Sequence, residues 1–417
     1  MLLKIQNTNK FLSGNIKITG SKSETNRLLL LQALLKGLTI ENLSNSDDGT
    51  LMQKALESHS ETIDIHHAGT AMRFLTAYFS IQKDRKTILT GSKRMQERPI
   101  GILVDALRSL GAQIEYLKNE GYPPLSIQGT TLTKSEVTLN ANVSSQYISA
   151  LMLIGATLPN GLTILLEGKI TSVPYINMTL QLLHQVGIAA TFQGQSIKIE
   201  PAQLKDVKKN ITVESDWSSA SYYYSLVALM HRYKEEQPTQ ITISSYKQDS
   251  LQGDAVLAEI YTQLGVVSRF EKNKLILEVD RSKELPELLE LDLSNSPDIA
   301  QTIAVSCLGL GVGCTLTGLH TLKIKETDRL EALHTEITKL GGTIEVTDKS
   351  LHLAKMTTPL LQNCTIATYH DHRMAMAFAP LGICVPICIE DAGVVSKSYP
   401  YFWEDLKTLG FTQEIIG

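Results

Sequence analysis

A glycine between apolar residues recurs along this chain at a near-constant interval: Leu110-Gly111-Ala112, Val186-Gly187-Ile188, Leu264-Gly265-Val266, Leu340-Gly341 and Leu409-Gly410-Phe411. Successive glycines lie 76, 78, 76 and 69 residues apart. Glycine suits the left-handed residue that closes a helix, and the preceding residues are amphipathic, as in Ile100, Leu103, Val104, Leu107 and Leu110. Strand-like residues follow, such as Gln113 to Tyr116. A period of this length fixes the architecture before any single element is assigned.

Earlier in each period lies a second helix, apolar nearly all round and therefore buried. Its first turn is polar: Lys22 to Arg27, Gly69 to Arg73, Ser144-Ser145-Gln146, Asp216 to Ser219, Ser296-Pro297-Asp298 and Asp371-His372-Arg373. A short strand separates the two helices, for example Leu162 to Leu166 or Thr315 to Thr317. The unit is thus strand, buried helix, strand, surface helix, then strands. Six units of roughly 70 residues predict an α/β chain of two similar domains of three. A single long solenoid is ranked lower, because a compact three-unit domain covers its buried helices on all sides. The polar stretch Lys205 to Asn210 is the candidate crossing between halves.

With 417 residues and a net charge of −4, the total charge points to neither nucleic acid nor an anionic membrane. No signal-peptide pattern opens the chain. Met374 to Ile389 contains Pro380, Gly382 and Pro386, and reads as helix, turn and strand rather than a membrane span. Five cysteines without a CxxC pair read as free buried thiols of a cytoplasmic protein.

Local charge carries the functional reading. Lys22 and Arg27 place two cations at a helix start, unfavourable with the macrodipole unless an anion sits there. Arg98 precedes Pro99 at a helix start, where a surface arginine is the simpler reading. Lys325-Glu326-Thr327-Asp328-Arg329 is either an ion-paired helix start or a source of proton-transfer groups. His370-Asp371-His372 lacks metal-ligand spacing, so no metal is expected. Asp298 is either a cap or, as the lone acid among basic helix starts, a general base.

Taken in order, GSKSETNR, AGTAMR, RMQERPIG, VSSQY, SVPY, SDWSSASYY, SLQGD, SPDIAQTIA, KETDRL, DHRMAMAF and SKSYPYF resemble the 5-enolpyruvylshikimate-3-phosphate (EPSP) synthase family over the whole chain. The resemblance implies two domains of three βαβαββ units, with helix N-termini directed into the cleft between them. It implies a discontinuous domain of residues 1–20 and 214–417 carrying both termini. Residues 21–213 form an inserted domain on the shikimate 3-phosphate side, with hinges near 20 and 213–216. The implied reaction joins shikimate 3-phosphate and phosphoenolpyruvate without a cofactor, in a cytoplasmic monomer whose domains close on the ligand. By resemblance Asp298 accepts a proton, Glu326 donates one, and Lys22 serves both steps. Lys22, Ser23, Arg27, Ser144, Ser145, Gln146, Ser172, Tyr175, Asp298, Thr321 and Lys325 are implied to bind shikimate 3-phosphate. Lys22, Gly69, Arg98, Gln146, Arg329, Arg373 and Lys397 are implied to bind phosphoenolpyruvate, at a site that in this family also accepts glyphosate.

Three positions depart from the family pattern: His67 stands for Asn, Phe74 for Pro and Thr321 for Asn. Thr321 keeps a hydroxyl donor, so an altered affinity is expected rather than its loss. The UDP-N-acetylglucosamine enolpyruvyl transferase family is the nearest alternative, but its catalytic-loop cysteine has no counterpart between Gly91 and Gln96. A non-catalytic binder of a phosphorylated small molecule is the alternative of a different class. Retention of Lys22, Arg98, Asp298 and Glu326 together disfavours it.

Overall fold

All five repeat glycines adopt the left-handed conformation, with φ between 76° and 111°, so the period seen in the sequence is a period of helix ends. The computed structural model describes residues 1–140, 144–168, 170, 173–202, 208–233 and 238–416. They form two compact units, Gly20–Val213 and Met1–Thr19 with Glu214–Gly417. The boundary falls at Val213 and Glu214 rather than within 205–210. Residues 205–207 lie outside the described residues, and Lys209–Thr212 is a strand of the inserted unit.

The inserted unit contains α1 (Lys22–Leu34), α2 (Asp47–Glu57), α3 (Gly69–Ser80), α4 (Gly101–Leu110), α5 (Ser145–Gly155) and α6 (Val173–Gln185). The odd-numbered helices are buried on nearly every side, from Glu24 to Leu31 in α1 and from Ala71 to Ser80 in α3. They pack against one another. The even-numbered helices bury one face, as Leu103, Val104, Leu107 and Leu110 do in α4. Two four-stranded sheets share one plan. Thr62–Asp64 runs parallel to Lys86–Thr90, which pairs antiparallel with Leu125–Gln128 and through it with Gln113–Tyr116. Glu136–Asn140, Leu162–Glu167, Ser196–Ile199 and Ala190–Gln193 repeat it.

The two-segment unit contains α7 (Trp217–Leu229), α8 (Leu257–Thr262), α9 (Ala300–Leu310), α10 (Arg329–Lys339), α11 (His372–Phe378) and α12 (Phe402–Thr408). Here α7 packs on α9 and α9 on α11. Hydroxyls one turn apart let the first pair approach closely, Ser221 with Thr302 at 3.0 Å and Ser225 with Ser306 at 2.8 Å. Pro380 and Gly382 lie in a short 3-10 turn (Ala379–Ile383) between α11 and the strand Ile387–Ile389, as the sequence predicts. Among the described residues no helix is long and apolar enough to cross a membrane. All five cysteines are free, and Cys364 and Cys384 are only half-buried.

Periodicity alone does not reveal an exchange of strands. Ser13–Lys17, which precedes α1 in the chain, pairs in parallel with Gln240–Ser244 beyond α7. Lys209–Thr212, which precedes α7, pairs in parallel with Leu38–Glu41 beyond α1. Each strand completes the other helix's repeat. Leu2–Gln6 then fills the sheet of the last repeat, antiparallel to both Ile387–Ile389 and Thr412–Ile416.

Candidate active site

In the inserted unit the starts of α1, α3 and α5 carry the predicted residues. Their caps are Ser21, Ala68 and Ser144, none of them acidic. The partial positive charge of these ends is therefore not answered by a capping carboxylate. Lys22 and Ser23 open α1, both half-buried. Ser144 accepts a 3.4 Å bond from the Gln146 amide, Ser145 is buried, and Gln146 Nε2 donates to Thr70 Oγ1 at 3.2 Å, joining α5 to α3.

Arg98 lies against the start of α3. A Cβ on Gly69 would sit 2.5 Å from Arg98 Nη1 and 3.0 Å from Cζ, so the bare glycine backbone leaves room for the guanidinium. The neighbouring Pro99 carbonyl accepts from Arg73 Nη2 at 2.9 Å and from Tyr147 Oη at 2.7 Å, which fixes the residue beside Arg98. Burial and the adjacent Arg98 lower the Arg73 pKa to about 10.

Arg27 is placed differently from a surface cation at a helix start. It is 2% exposed and donates to Thr179 Oγ1 (2.7 Å), Ser149 Oγ (2.9 Å) and the Ser23 carbonyl (2.9 Å). Its Cζ lies 5.4 Å from the Phe74 ring centroid and 5.9 Å from that of Tyr175. Phe74, a departure from the family pattern, thus packs under this arginine. Burial lowers the Arg27 pKa to about 10, so it stays charged at neutral pH. His67 Nε2 lies 3.6 Å from an Asp47 carboxylate oxygen. Ser172 lies outside the described residues.

In the two-segment unit, Asp298 is surrounded by cations. Oδ1 lies 2.9 Å from Arg329 Nη1 and 3.4 Å from Lys325 Nζ, and Oδ2 lies 3.3 Å from Arg373 Nη2. Arg373 Nη1 also donates to the Asp298 main-chain carbonyl at 3.2 Å. Asp298 does not cap α9, whose N-cap is Ile299 after a short 3-10 turn. Nor is it the lone acid at these starts. Asp216 and Asp371 cap α7 and α11 with their own carboxylates, as Asp328 caps α10. An aspartate at N-cap satisfies free amides, so these ends are already neutralised from within the chain.

Arg329 is the hub. Fully buried, it holds Asp371 (Nε to Oδ2, 2.7 Å), Asp298 and Glu326 (Nη2 to Oε2, 2.9 Å) at once. Burial alone would lower its pKa, but Asp371, Glu326 and Asp298 together hold it above the usual arginine value. One guanidinium therefore sets the separation of Asp298 and Glu326, the two acids for which the family resemblance implies proton transfer. Thr321 lies in the short helix His320–Ile324 with its Oγ1 buried and, among the described residues, without a hydrogen-bond partner. Lys397 is not gathered into this cluster; its Nζ donates to the His370 carbonyl at 2.6 Å, in the turn before α11.

Two residues not assigned to the site from the sequence join this cluster. Asp254, buried, accepts a short bond from Ser218 Oγ, and Ser218 Oγ lies 3.3 Å from Arg373 Nη2. Burial, with Asp298 nearby, pushes the Asp254 pKa up to about 6. Its only sequence signal is SLQGD, an acid just after a glycine, which looks like an ordinary turn.

The sequence model of the EPSP synthase (3-phosphoshikimate 1-carboxyvinyltransferase) family matches residues 6–59 and 53–406. The chain belongs to the EPSP synthase family. A 3-phosphoshikimate 1-carboxyvinyltransferase of Bacteroides fragilis is 48% identical over 404 residues, 96% of each chain. The fold is that of an EPSP synthase from Acinetobacter baumannii, with a TM-score of 0.80 at 21% identity over 99% of this chain and 100% of that one. The enolpyruvyl transferase NikO from Streptomyces tendae shares it at a TM-score of 0.74 and 15% identity, over 99% of this chain and 98% of that one. The family match and the 48% relative favour the EPSP synthases over the UDP-N-acetylglucosamine enzymes as this chain's group.

Proposed function

We propose that this EPSP synthase family member transfers the enolpyruvyl group of phosphoenolpyruvate to the 5-hydroxyl of shikimate 3-phosphate. The products are 5-enolpyruvylshikimate 3-phosphate and inorganic phosphate, a step of aromatic amino-acid biosynthesis through the shikimate pathway. The observation that supports this reading most is the hub: one buried arginine holds Asp298 and Glu326 beside Lys325 and Arg373. This supplies a base, an acid and cations, the groups that addition and elimination require.

In the addition step the 5-hydroxyl oxygen bonds to C2 of phosphoenolpyruvate, Asp298 takes the hydroxyl proton, and Glu326 protonates the C3 methylene. In the elimination step the methyl group returns a proton and the C2–O bond to phosphate breaks. An aspartate paired to three cations is a weak base. Two anionic substrates would compete for those cations and make both carboxylates more basic, so loading would prepare Asp298 as acceptor and Glu326 as protonated donor. Lys22 serves both substrates. Ser23, Arg27, Ser144, Ser145, Gln146, Ser172, Tyr175, Thr321 and Lys325 bind shikimate 3-phosphate. The unpartnered Thr321 hydroxyl supports its share in that list. Gly69, Arg98, Gln146, Arg329, Arg373 and Lys397 bind phosphoenolpyruvate. The enzyme works in the cytoplasm as a monomer, which sedimentation of the pure protein checks.

Phosphate release from the two substrates tests the reaction. D298A is expected to lose turnover by a factor on the order of 10²–10⁴, the usual share of a general base, while isothermal titration still detects shikimate 3-phosphate. A D298A enzyme with near-normal turnover would overturn the base assignment.

A further inference from the structure

The turn before α11 is held in an unfavourable conformation by a buried carboxylate that the mechanism above does not use. Tyr369 and His370 are consecutive non-glycine residues with φ of 53° and 56°, a left-handed pair that persists only when its surroundings enforce it. Glu336, in the third turn of α10, has no exposed surface. Its Oε1 accepts from Tyr369 Oη at 2.6 Å and from Lys339 Nζ at 2.8 Å, and Lys339 also reaches Oε2 at 2.9 Å. Thr335 lies beside the same tyrosine hydroxyl.

Glu336 follows Arg329 by seven residues, two helical turns on the same face of α10. That face therefore grips the turn twice, Arg329 at Asp371 and Glu336 at Tyr369. Between the two grips lies His370, whose carbonyl accepts from Lys397. Directly after them comes Arg373, whose amide donates to Asp371 Oδ1 at 2.9 Å. Three of the groups assigned to phosphoenolpyruvate, Arg329, Arg373 and Lys397, are thus referred to one turn, and one end of that turn is set by Glu336.

We infer that Glu336 is a positioning residue for the phosphoenolpyruvate ligands, acting through the hydroxyl of Tyr369. The inference rests on the reaction proposed above. Glu336 touches neither substrate; it holds the carbonyl that orients Lys397 and the start of the helix that carries Arg373.

The test uses the full chain and two readouts. Y369F removes the hydroxyl and leaves the ring. Its KM for phosphoenolpyruvate is expected to rise about tenfold, the worth of one good hydrogen bond, with the KM for shikimate 3-phosphate unchanged. E336A should match it, E336Q, which retains an acceptor, should restore KM to within about threefold, and E336A/Y369F should be no worse than E336A alone. Hydrogen exchange over residues 367–374, followed by mass spectrometry, should quicken in Y369F. That readout needs no turnover. A wild-type protein that releases no phosphate sinks the proposed reaction, while the exchange result still judges the clamp. Unchanged exchange in Y369F, faster exchange with an unchanged KM, or an equal rise in both KM values would each overturn the inference. Should E336A fail to fold, Y369F and E336Q decide.

Discussion

At the scale of single residues, Gly69 shows how an absent atom positions a present one. Any Cβ there would meet the Arg98 guanidinium at 2.5 Å, so even alanine must push that flexible side chain aside. Gly69→Ala is expected to raise the KM for phosphoenolpyruvate roughly tenfold, the scale of one displaced charged hydrogen-bond donor, with little change in thermal midpoint. Steady-state kinetics and a melting curve check both parts. The sequence showed that a glycine opens α3 and that Arg98 stands before a proline; that they touch is a tertiary fact. The same holds for Arg27, whose number and charge were legible but whose hydroxyl nest from Ser149 and Thr179 was not. Those partners lie 122 and 152 residues away, a separation that no local pattern spans.

At the scale of elements, the starts of the buried helices differ in their caps, and α9 of the two-segment unit, capped by Ile299, has no acidic one. Those of α1, α3 and α5 are free of acidic caps, whereas α7 and α11 carry Asp216 and Asp371. Asp371 does two jobs, capping α11 and neutralising buried Arg329. Asp371→Ala should cost about 3–5 kcal/mol, as when one partner leaves a buried pair. Asp371→Asn keeps a good capping acceptor and should cost less. Urea unfolding of the two variants separates cap from charge, and equal losses would show that the cap contributes nothing separable. Five of the six surface helices were legible from their closing glycines, because period and polarity encode them; α2 was not, because it ends at Ser58 without a glycine. Whether a polar first turn invites an anion or supplies its own was not, because Asp216 and Asp371 read as well either way.

At the scale of the whole molecule, buried acids set a pH response. Glu214, Asp254 and Asp405 all have raised pKa values, burial being the chief cause in each. A raised carboxyl pKa means that the folded state binds the proton more tightly. Its contribution is therefore greatest below the unfolded value and declines as pH climbs through the folded one. For Asp254 that window runs from 3.8 to about 6. The stability gained by Asp254→Asn over the parent should be larger at pH 7.5 than at pH 5, by an amount on the order of 1 kcal/mol, since about one unit of that window lies above pH 5. Paired unfolding curves at the two pH values check it. A difference that shrinks with rising pH would contradict this account. The two-domain division was legible as six repeats, whereas the strand exchange was implied only by the family resemblance and not by the period, because Ser13–Lys17 and Lys209–Thr212 are equally good strands in either sheet.

That exchange has a consequence for the order in which the chain can be completed on the ribosome. The inserted unit has every strand it needs once Thr212 has emerged. The other unit begins first and finishes last: Leu2–Gln6 waits for Ile387–Ile389 and Thr412–Ile416, and Ser13–Lys17 waits for Gln240–Ser244. At ordinary translation rates Leu2–Gln6 waits roughly 10–40 s after Val213 and Ser13–Lys17 roughly 2–6 s, during which these short strands have unpaired edges. Joining the ends, which already lie side by side at Leu2 and Ile416, and reopening the chain between Val213 and Glu214 would let both units be translated without interruption.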